Sequence, residues 1–203
     1  MGTQGLTDFI QIDKDVTAFI AAAKNRQCSI DGLTIGNELK DHVNVMNKVW
    51  EIRDRLKREG VAVPVSTVPI WADVENNPVL CQGDRVTVNA YAFFDKNVGA
   101  TGAGNFVRDI VLPKIRSVCG EKEVIITESG WPSQGGQYGV AVASLDQEQV
   151  ALKNLNCVAK DISIFAFEAE DATWKKKTGD PNWDQREMSK SSAILQVQAL
   201  GRR

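Results

Sequence analysis

Short apolar runs and amphipathic segments alternate along the 203 residues of the chain. The apolar runs are rich in β-branched residues, which is typical of buried strands in a parallel sheet. The segments between them repeat apolar residues at helical spacing. The pattern predicts five strands, at Leu33–Ile35, Val61–Val68, Arg85–Tyr91, Glu123–Thr127 and Ile162–Phe167. It predicts five helices, at Asp13–Arg26, Val43–Glu59, Asn105–Cys119, Asp146–Ala159 and Ser189–Leu200.

This alternation predicts an α/β fold with a parallel sheet and right-handed crossovers. Two prolines modify it. Pro64 should lie near the start of its strand, because proline has no N–H to give to a sheet. Pro113 should break or kink its helix. In such a fold the carboxyl ends of the strands form the edge where active sites are built, so the residues after each strand are the candidates for function.

Composition and charge remove several classes of function. Hydrophobic residues make up 43% and charged residues 25% of the chain, as in ordinary globular proteins. The net charge of −2 and the single short basic cluster, Lys175–Lys177, do not indicate a nucleic-acid partner. No apolar stretch has the length of a membrane span, and the first residues lack the features of a signal peptide. The chain is therefore expected to be cytosolic or to lack a leader that was removed.

The histidine and cysteine contents argue against a metal site. His42 is the single histidine, so neither a histidine-dependent triad nor a multi-histidine metal site is expected. The four cysteines, at positions 28, 81, 119 and 157, contain no C-x-x-C pair that would favour zinc. Cys119 and Cys157 are interpreted as buried thiols. Disulfides are the alternative if the protein is secreted, but spacing alone does not choose the partners.

Two glutamates, Glu38 and Glu128, each come where a predicted strand ends. Two carboxylates brought to one rim from separate strands form the arrangement that a glycosidase uses. Aromatic and polar residues follow the same strands, and sugars need rings for stacking and polar groups for their hydroxyls. The further candidate residues are Asn37, Tyr91, Phe94, Trp131, Glu168, Asp171 and Lys175. Any one ring or acid has a simpler explanation as a core residue or a solvated group, but their recurrence at strand ends favours a site.

Several separated motifs then occur in the order expected of glycoside hydrolase family 17. They include Ile35-Gly-Asn-Glu38, Val88-Asn-Ala-Tyr-Ala-Phe-Phe-Asp95 and Ile126-Thr-Glu-Ser-Gly-Trp-Pro-Ser133. The last resembles the nucleophile motif of that family. The chain is most similar to the fungal branch, whose members cleave or transfer β-1,3-glucan. The resemblance extends from about residue 10 to about residue 180.

The resemblance implies a role for each motif residue. Glu38 would be the acid/base, holding a proton at rest, and Glu128 the ionised nucleophile of a retaining double displacement. This chemistry places the two carboxyls about 5–5.5 Å apart and requires no metal or cofactor. Asn37 would bind the hydroxyl beside the reacting carbon, Tyr91 would hold Glu128, and Trp131 would form part of the sugar platform. The expected partner is a β-1,3-glucan, and the expected location is secreted or in the cell wall.

The sequence departs from the family pattern in two places. Ala172 stands after Asp171 where the family commonly has a glutamate. The family has eight βα units, whereas this chain offers about five, and the acid/base motif is reached by residue 38. The expectation is therefore a single catalytic domain over residues 1–203, folded as a partial or truncated TIM (β/α)8-type barrel with about five parallel strands. Exposed sheet edges then predict self-association.

The sequence leaves several alternatives open. The chain is either a fragment, a truncated gene product, or a domain that closes by pairing with another copy. The main functional alternative is a non-catalytic β-glucan-binding protein of the cell wall or an inactive fragment. The residues also do not decide between hydrolysis and transglycosylation, or between endo and exo action.

Overall fold

The structure of the protein, a computed structural model, describes residues 2–3, 9–25 and 30–168. Its strands are β1 (Gly2–Thr3), β2 (Leu33–Asn37), β3 (Val65–Val68), β4 (Val86–Asn89), β5 (Val124–Ser129), β6 (Gln137–Tyr138), β7 (Ala141–Val142) and β8 (Ser163–Ala166). Its α-helices are α1 (Phe9–Lys24), α2 (His42–Arg58), α3 (Trp71–Asn76), α4 (Ala103–Asn105), α5 (Leu112–Cys119) and α6 (Leu145–Val158). None of these helices has the length and apolar character needed to cross a membrane.

The α/β alternation and all five predicted strands are confirmed, as β2, β3, β4, β5 and β8. β3 begins at Val65, immediately after Pro64, because proline cannot donate to a strand ladder. α1, α2 and α6 confirm three predicted helices. Ser144 caps α6 by accepting a hydrogen bond from the Gln147 N–H at 3.2 Å. The helix predicted at 189–200 lies outside the described residues.

The helix predicted at 105–119 is irregular in the turn before Pro113. α4 is followed by a π-helical turn, Phe106–Val111, before α5 completes the segment. Proline lacks the N–H that an α-helix would bond to the carbonyl four residues earlier, here that of Asp109. A widened turn at this point agrees with the expected break.

Short elements were missed because they are too brief to show a periodic pattern. β6 and β7 form a two-residue antiparallel hairpin, with Gln137 opposite Val142. α3 and three 3-10 helices, at Pro78–Gln82, Ala92–Phe94 and Ala100–Gly102, also lie in segments that the pattern left as connections.

The described residues divide into two compact units. Unit 1 comprises those within Met1–Asn89 together with Lys114–Ile125, and unit 2 comprises Ala90–Pro113 and those from Ile126 onward. The described residues form three sheets. The first has the order β1-β2-β3 with parallel pairing, the second has the order β4-β5-β8, and the third is the β6–β7 hairpin. The expectation of a single domain over residues 1–203 stays a prediction.

Each unit has its own apolar core. In unit 1, α2 packs on β2 and β3, and the core side chains include Ile12, Val16, Ile35, Val49, Ile52 and Val65. In unit 2, α4 packs closely on α6. A side chain at Gly104 would bring its Cβ to 2.5 Å from the Asn154 carbonyl oxygen, so only glycine permits this approach.

The cysteine expectations are corrected by the structure. Cys81 and Cys119 form a disulfide within unit 1, so Cys119 is not a buried thiol. Cys157 is a free thiol, but it is exposed on α6 rather than buried. The bonded pair joins the 3-10 helix Pro78–Gln82 to the last residue of α5. Sequence spacing could not show this, because the proximity is created by the fold.

We expect removal of this disulfide to destabilise the protein. The bond closes a loop over a sequence separation of 38 residues. Loop-closure entropy then gives a loss in the free energy of unfolding of about 2–4 kcal/mol for the double variant Cys81→Ala/Cys119→Ala. Urea denaturation without reductant measures it. Cys157→Ser is the matched control, and an unchanged midpoint in the double variant would contradict the expectation.

Candidate active site

Glu38 stands directly after β2 in unit 1, in an unusual backbone conformation. Its φ is +53°, in the left-handed region that non-glycine residues rarely adopt. The pairing of β2 with β3 shifts register between Thr34 and Asn37, as at a β-bulge. The Glu38 N–H donates to the Val68 carbonyl at the end of β3, at 2.7 Å. The backbone is thus turned out of the strand and anchored there, a feature that clusters at functional sites.

A buried amide from the end of β4 holds the Glu38 side chain. Asn89 Nδ2 donates to Glu38 Oε1 at 2.9 Å and to Asn37 Oδ1 at 3.1 Å. Asn89 is only 1% exposed. Its backbone N–H donates to the Pro69 carbonyl at 3.0 Å. Asn89 lies within the predicted strand Arg85–Tyr91, and nothing in the sequence pattern indicates that its amide contacts Glu38.

Charged groups after β2 and β3 are paired with one another. Lys40 Nζ lies 2.9 Å from Asp73 Oδ2, and His42 Nε2 lies 3.9 Å from the same oxygen. The Lys114 ammonium lies 5.6 Å from the centre of the Trp71 ring.

In unit 2, Glu128 lies near the carboxyl end of β5 and is held by Tyr91. The Glu128 carbonyl accepts a hydrogen bond from the Ala90 N–H at 2.9 Å. Tyr91 Oη donates to Glu128 Oε2 at 2.6 Å. The Tyr91 ring packs edge-on against Phe94 and Phe167, with centroids 5.9 and 6.4 Å apart. The expected contact is present, and its catalytic role stays a prediction.

The two candidate sugar-binding rings have different surroundings. Phe94 is 51% exposed and has a ring surface available to solvent. Trp131 is 1% exposed, packs edge-on against Phe93 at 5.2 Å, and donates its indole N–H to the Val142 carbonyl at 2.9 Å. A buried ring presents no face to a sugar. This placement favours a structural role for Trp131 and disfavours the expected platform.

The remaining candidates lie at or beyond the end of the described chain. Glu168 follows β8 by two residues, is half-buried, and is joined to Phe167 by a cis peptide bond. Asp171 and Lys175 lie outside the described residues. The structure therefore brings Asn37 and Glu38 together with Asn89 in unit 1, and Glu128 together with Tyr91 in unit 2.

Comparison with known proteins gives consistent matches. A model of the BtgE/BtgC glycoside hydrolase domain matches residues 4–186. The chain is 40% identical over 152 residues to the probable family 17 glucosidase SCW4 of Saccharomyces cerevisiae, covering 70% of this chain and 38% of that protein. It is 36% identical over 176 residues to the cell surface mannoprotein MP65 of Candida albicans, covering 80% and 46%. The chain thus spans less than half the length of these relatives.

Solved structures agree on the fold. The family 17 β-1,3-glucanosyltransferase of Rhizomucor miehei aligns with a TM-score of 0.69 at 23% identity, covering 82% of this chain and 64% of that chain. An active-site mutant of that enzyme, solved in complex with laminaritriose, aligns equally well. The likeness shows a fold of the TIM-barrel type, while the partial five-stranded barrel stays a prediction. With the domain matched over most of its length, the chain belongs to the BtgE/BtgC glycoside hydrolase domain family, within glycoside hydrolase family 17.

Proposed function

We propose that this chain is a retaining glycoside hydrolase that acts on β-1,3-glucan, with Glu38 as acid/base and Glu128 as nucleophile. Family membership supports the glycosidase class. The observation that carries the residue assignment is that each glutamate stands at the carboxyl end of a strand with one side-chain oxygen held by a dedicated donor. Asn89 supplies that donor to Glu38, and Tyr91 supplies it to Glu128.

The reaction proceeds in two displacements at the anomeric carbon. In the first, Glu128 attacks that carbon while Glu38 gives its proton to the glycosidic oxygen. The bond to the leaving sugar breaks, and an ester to Glu128 forms. In the second, Glu38 takes a proton from the incoming hydroxyl, which attacks the same carbon and displaces Glu128. Both steps invert the carbon, so the product keeps the β configuration.

The substrate proposal rests on the relatives and on one exposed ring. The Rhizomucor miehei mutant binds laminaritriose, a β-1,3-linked trisaccharide, and SCW4 is described as a probable glucosidase. The exposed face of Phe94 suits stacking against a pyranose ring. Asn37 would donate to the hydroxyl beside the reacting carbon. The incoming hydroxyl belongs to water in a hydrolase and to a second glucan in a transferase.

A product-length profile tests this proposal. The purified chain is incubated with laminarihexaose, and the masses of the products are followed over time. Shorter products that are released as β-anomers support a retaining hydrolase, and additional longer products show transfer. An unchanged hexaose that nevertheless binds the protein would overturn the proposal in favour of a non-catalytic glucan-binding protein.

Replacing Tyr91 with phenylalanine tests how Glu128 is held. Tyr91→Phe removes the 2.6 Å hydrogen bond and keeps the ring that packs against Phe94 and Phe167. A hydrogen bond to a charged group contributes about 1.5–3 kcal/mol, so kcat/KM for laminarihexaose should fall about 10- to 150-fold. Tyr138→Phe, at the exposed second tyrosine, is the control. Equal activity in the two variants would show that Tyr91 does not position Glu128.

We further propose that the protein acts outside the cell, at the cell wall. The Cys81–Cys119 disulfide supports this, since such bonds persist mainly in oxidising compartments. The description of the relative MP65 as a cell surface mannoprotein agrees with it. Immunoblotting of wall and cytosolic fractions tests the location, and recovery in the cytosol alone would contradict it.

Self-association through sheet edges also stays a prediction. Among the strands of the described residues, β8 is at one end of its sheet, and its Phe165 side chain is exposed. An open edge with an apolar side chain favours pairing with a second copy. Sedimentation velocity of the purified chain over a range of concentrations measures this, and a monomer throughout would contradict the expectation.

A further inference from the structure

We propose that Asn89 is a positioning residue that determines which oxygen of Glu38 carries the catalytic proton. This inference rests on the proposed role of Glu38 as acid/base. In the proposed reaction Asn89 does not touch the reacting atoms and acts through Glu38. Asn89 ends β4, and its side-chain amide donates to Asn37, the last residue of β2, and to Glu38, which follows it.

The assignment follows from counting donors and acceptors. The Asn89 side-chain nitrogen carries two N–H groups and no acceptor. Its two bonds, to Glu38 Oε1 at 2.9 Å and to Asn37 Oδ1 at 3.1 Å, use one N–H each. A neutral carboxyl has one carbonyl oxygen, which is the stronger acceptor, and one hydroxyl, which donates and is the weaker acceptor. Since Oε1 accepts from Asn89, this bond favours the proton of neutral Glu38 on Oε2.

The same amide orients Asn37. Because Asn37 Oδ1 accepts from Asn89, the amide nitrogen of Asn37 is the group that points elsewhere and can donate to a sugar hydroxyl. One buried side chain thereby sets both the proton-bearing oxygen of Glu38 and the donor of Asn37. An aspartate or alanine at position 89 would leave both orientations unspecified.

Asn89 is itself held rigidly. It is 1% exposed, ends β4, and is fixed by its backbone N–H bond to Pro69 and by a parallel bridge to Ile70. The backbone of Glu38 is fixed in turn by its bond to Val68. A group held in its reactive orientation before substrate binds saves the cost of ordering it during the reaction.

The hydrogen bond from Asn89 to Glu38 Oε1 also becomes stronger when Glu38 gives up its proton, which favours proton donation. When Oε2 gives its proton to the glycosidic oxygen, Glu38 gains a negative charge that is shared with Oε1. The Asn89 N–H to Oε1 bond then becomes charge-assisted and about twice as strong. A preorganised donor aimed at developing charge is a common means of lowering a barrier. Asn89 should therefore matter most where the leaving group needs a proton.

The test compares two substrates in the full chain. Laminarihexaose has a sugar leaving group that requires a proton, whereas 2,4-dinitrophenyl β-laminaribioside has an aryl leaving group that departs without one. We expect Asn89→Ala to lower kcat/KM for the hexaose about 100-fold, since misplacing a reacting group by about 1 Å lowers the rate by about that factor. For the aryl glycoside, which needs no proton, we expect kcat/KM to fall less than about 10-fold. Asn89→Asp keeps the shape of the side chain and should show the same selective loss if the alanine variant does not fold.

Thr87→Val is the matched control. Thr87 lies two positions before Asn89 on β4, is 5% exposed, and donates its hydroxyl to the Thr67 carbonyl at 2.6 Å. The Thr87→Val variant therefore loses a buried hydrogen bond of β4 but keeps every contact of Glu38. We expect its two kcat/KM values to change by the same factor. A selective loss in Thr87→Val as well, or equal losses for both substrates in the Asn89 variants, would overturn the inference.

Glu38→Ala separates this inference from the proposed function. If kcat/KM falls selectively for the hexaose in Glu38→Ala but not in the Asn89 variants, only the proposed role of Asn89 is wrong. If kcat/KM falls equally for both substrates in Glu38→Ala, the acid/base assignment of Glu38 is wrong, and so is the inference about Asn89.

Discussion

Glu128→Gln is expected to abolish turnover of laminarihexaose. The amide is nearly the same size as the carboxylate and its oxygen can still accept from Tyr91, but it cannot attack the anomeric carbon. Loss of a covalent nucleophile typically lowers kcat by several orders of magnitude, so we expect a fall of more than about 10⁴-fold. Mass analysis of the products after prolonged incubation measures the residual rate.

Glu123→Gln is the matched control for this variant. Glu123 directly precedes the other end of β5 and makes an ion pair with Arg85 at 2.7 Å, with its own side chain exposed. Glu123 is at the exposed side of this pair and Arg85 keeps its ion pair with Asp31, so the substitution should cost about 0–1 kcal/mol of stability and leave activity nearly unchanged. A Glu128→Gln protein that melts normally and keeps the activity of Glu123→Gln would remove Glu128 from the mechanism.

Glu38→Ala is expected to have the second largest effect, and its effect should depend on the leaving group. General acid catalysis contributes about 10²- to 10⁴-fold, so kcat/KM for laminarihexaose should fall within that range. For 2,4-dinitrophenyl β-laminaribioside the first step needs no proton, and its kcat/KM should fall far less. The second step then lacks a base, so an ester on Glu128 should accumulate.

Azide provides the decisive control for Glu38→Ala. It is a nucleophile that needs no general base, and it should enter the space left by the carboxylate. We expect azide to raise kcat for the aryl glycoside and to form a β-glycosyl azide. An α-glycosyl azide, or no effect of azide together with equal losses on both substrates, would contradict the acid/base assignment.

The strand positions could be predicted because burial leaves a strong mark on the sequence. Runs such as Val124–Thr127 are apolar and β-branched, and Pro64 marks a strand start by its missing N–H. The catalytic candidates followed from the same pattern, since the end of a strand is defined once its apolar run is known. The β6–β7 hairpin escaped prediction because two-residue strands have no measurable period.

The contacts between side chains could not be predicted in this way. The Cys81–Cys119 bond and the Asn89–Glu38 bond each join residues that are distant in the chain, with separations of 38 and 51 positions. Their partners become neighbours only after the strands have paired. Trp131 shows another limit of the sequence pattern: its position in the motif predicts a place in the sugar site, whereas the structure buries the ring against Phe93. The position of a residue in a motif does not show how exposed its side chain is.

Trapping the glycosyl-enzyme shows directly whether Glu128 forms the covalent intermediate. A 2-deoxy-2-fluoro laminaribioside with a dinitrophenyl leaving group slows the second displacement more than the first, so the glycosyl ester should accumulate. After proteolysis, we expect a glycosyl mass on the peptide that contains Glu128, and no such mass in Glu128→Gln. A glycosyl mass on a different carboxylate, or release of an α-anomer from laminarihexaose without any ester, would show that Glu128 is not the nucleophile.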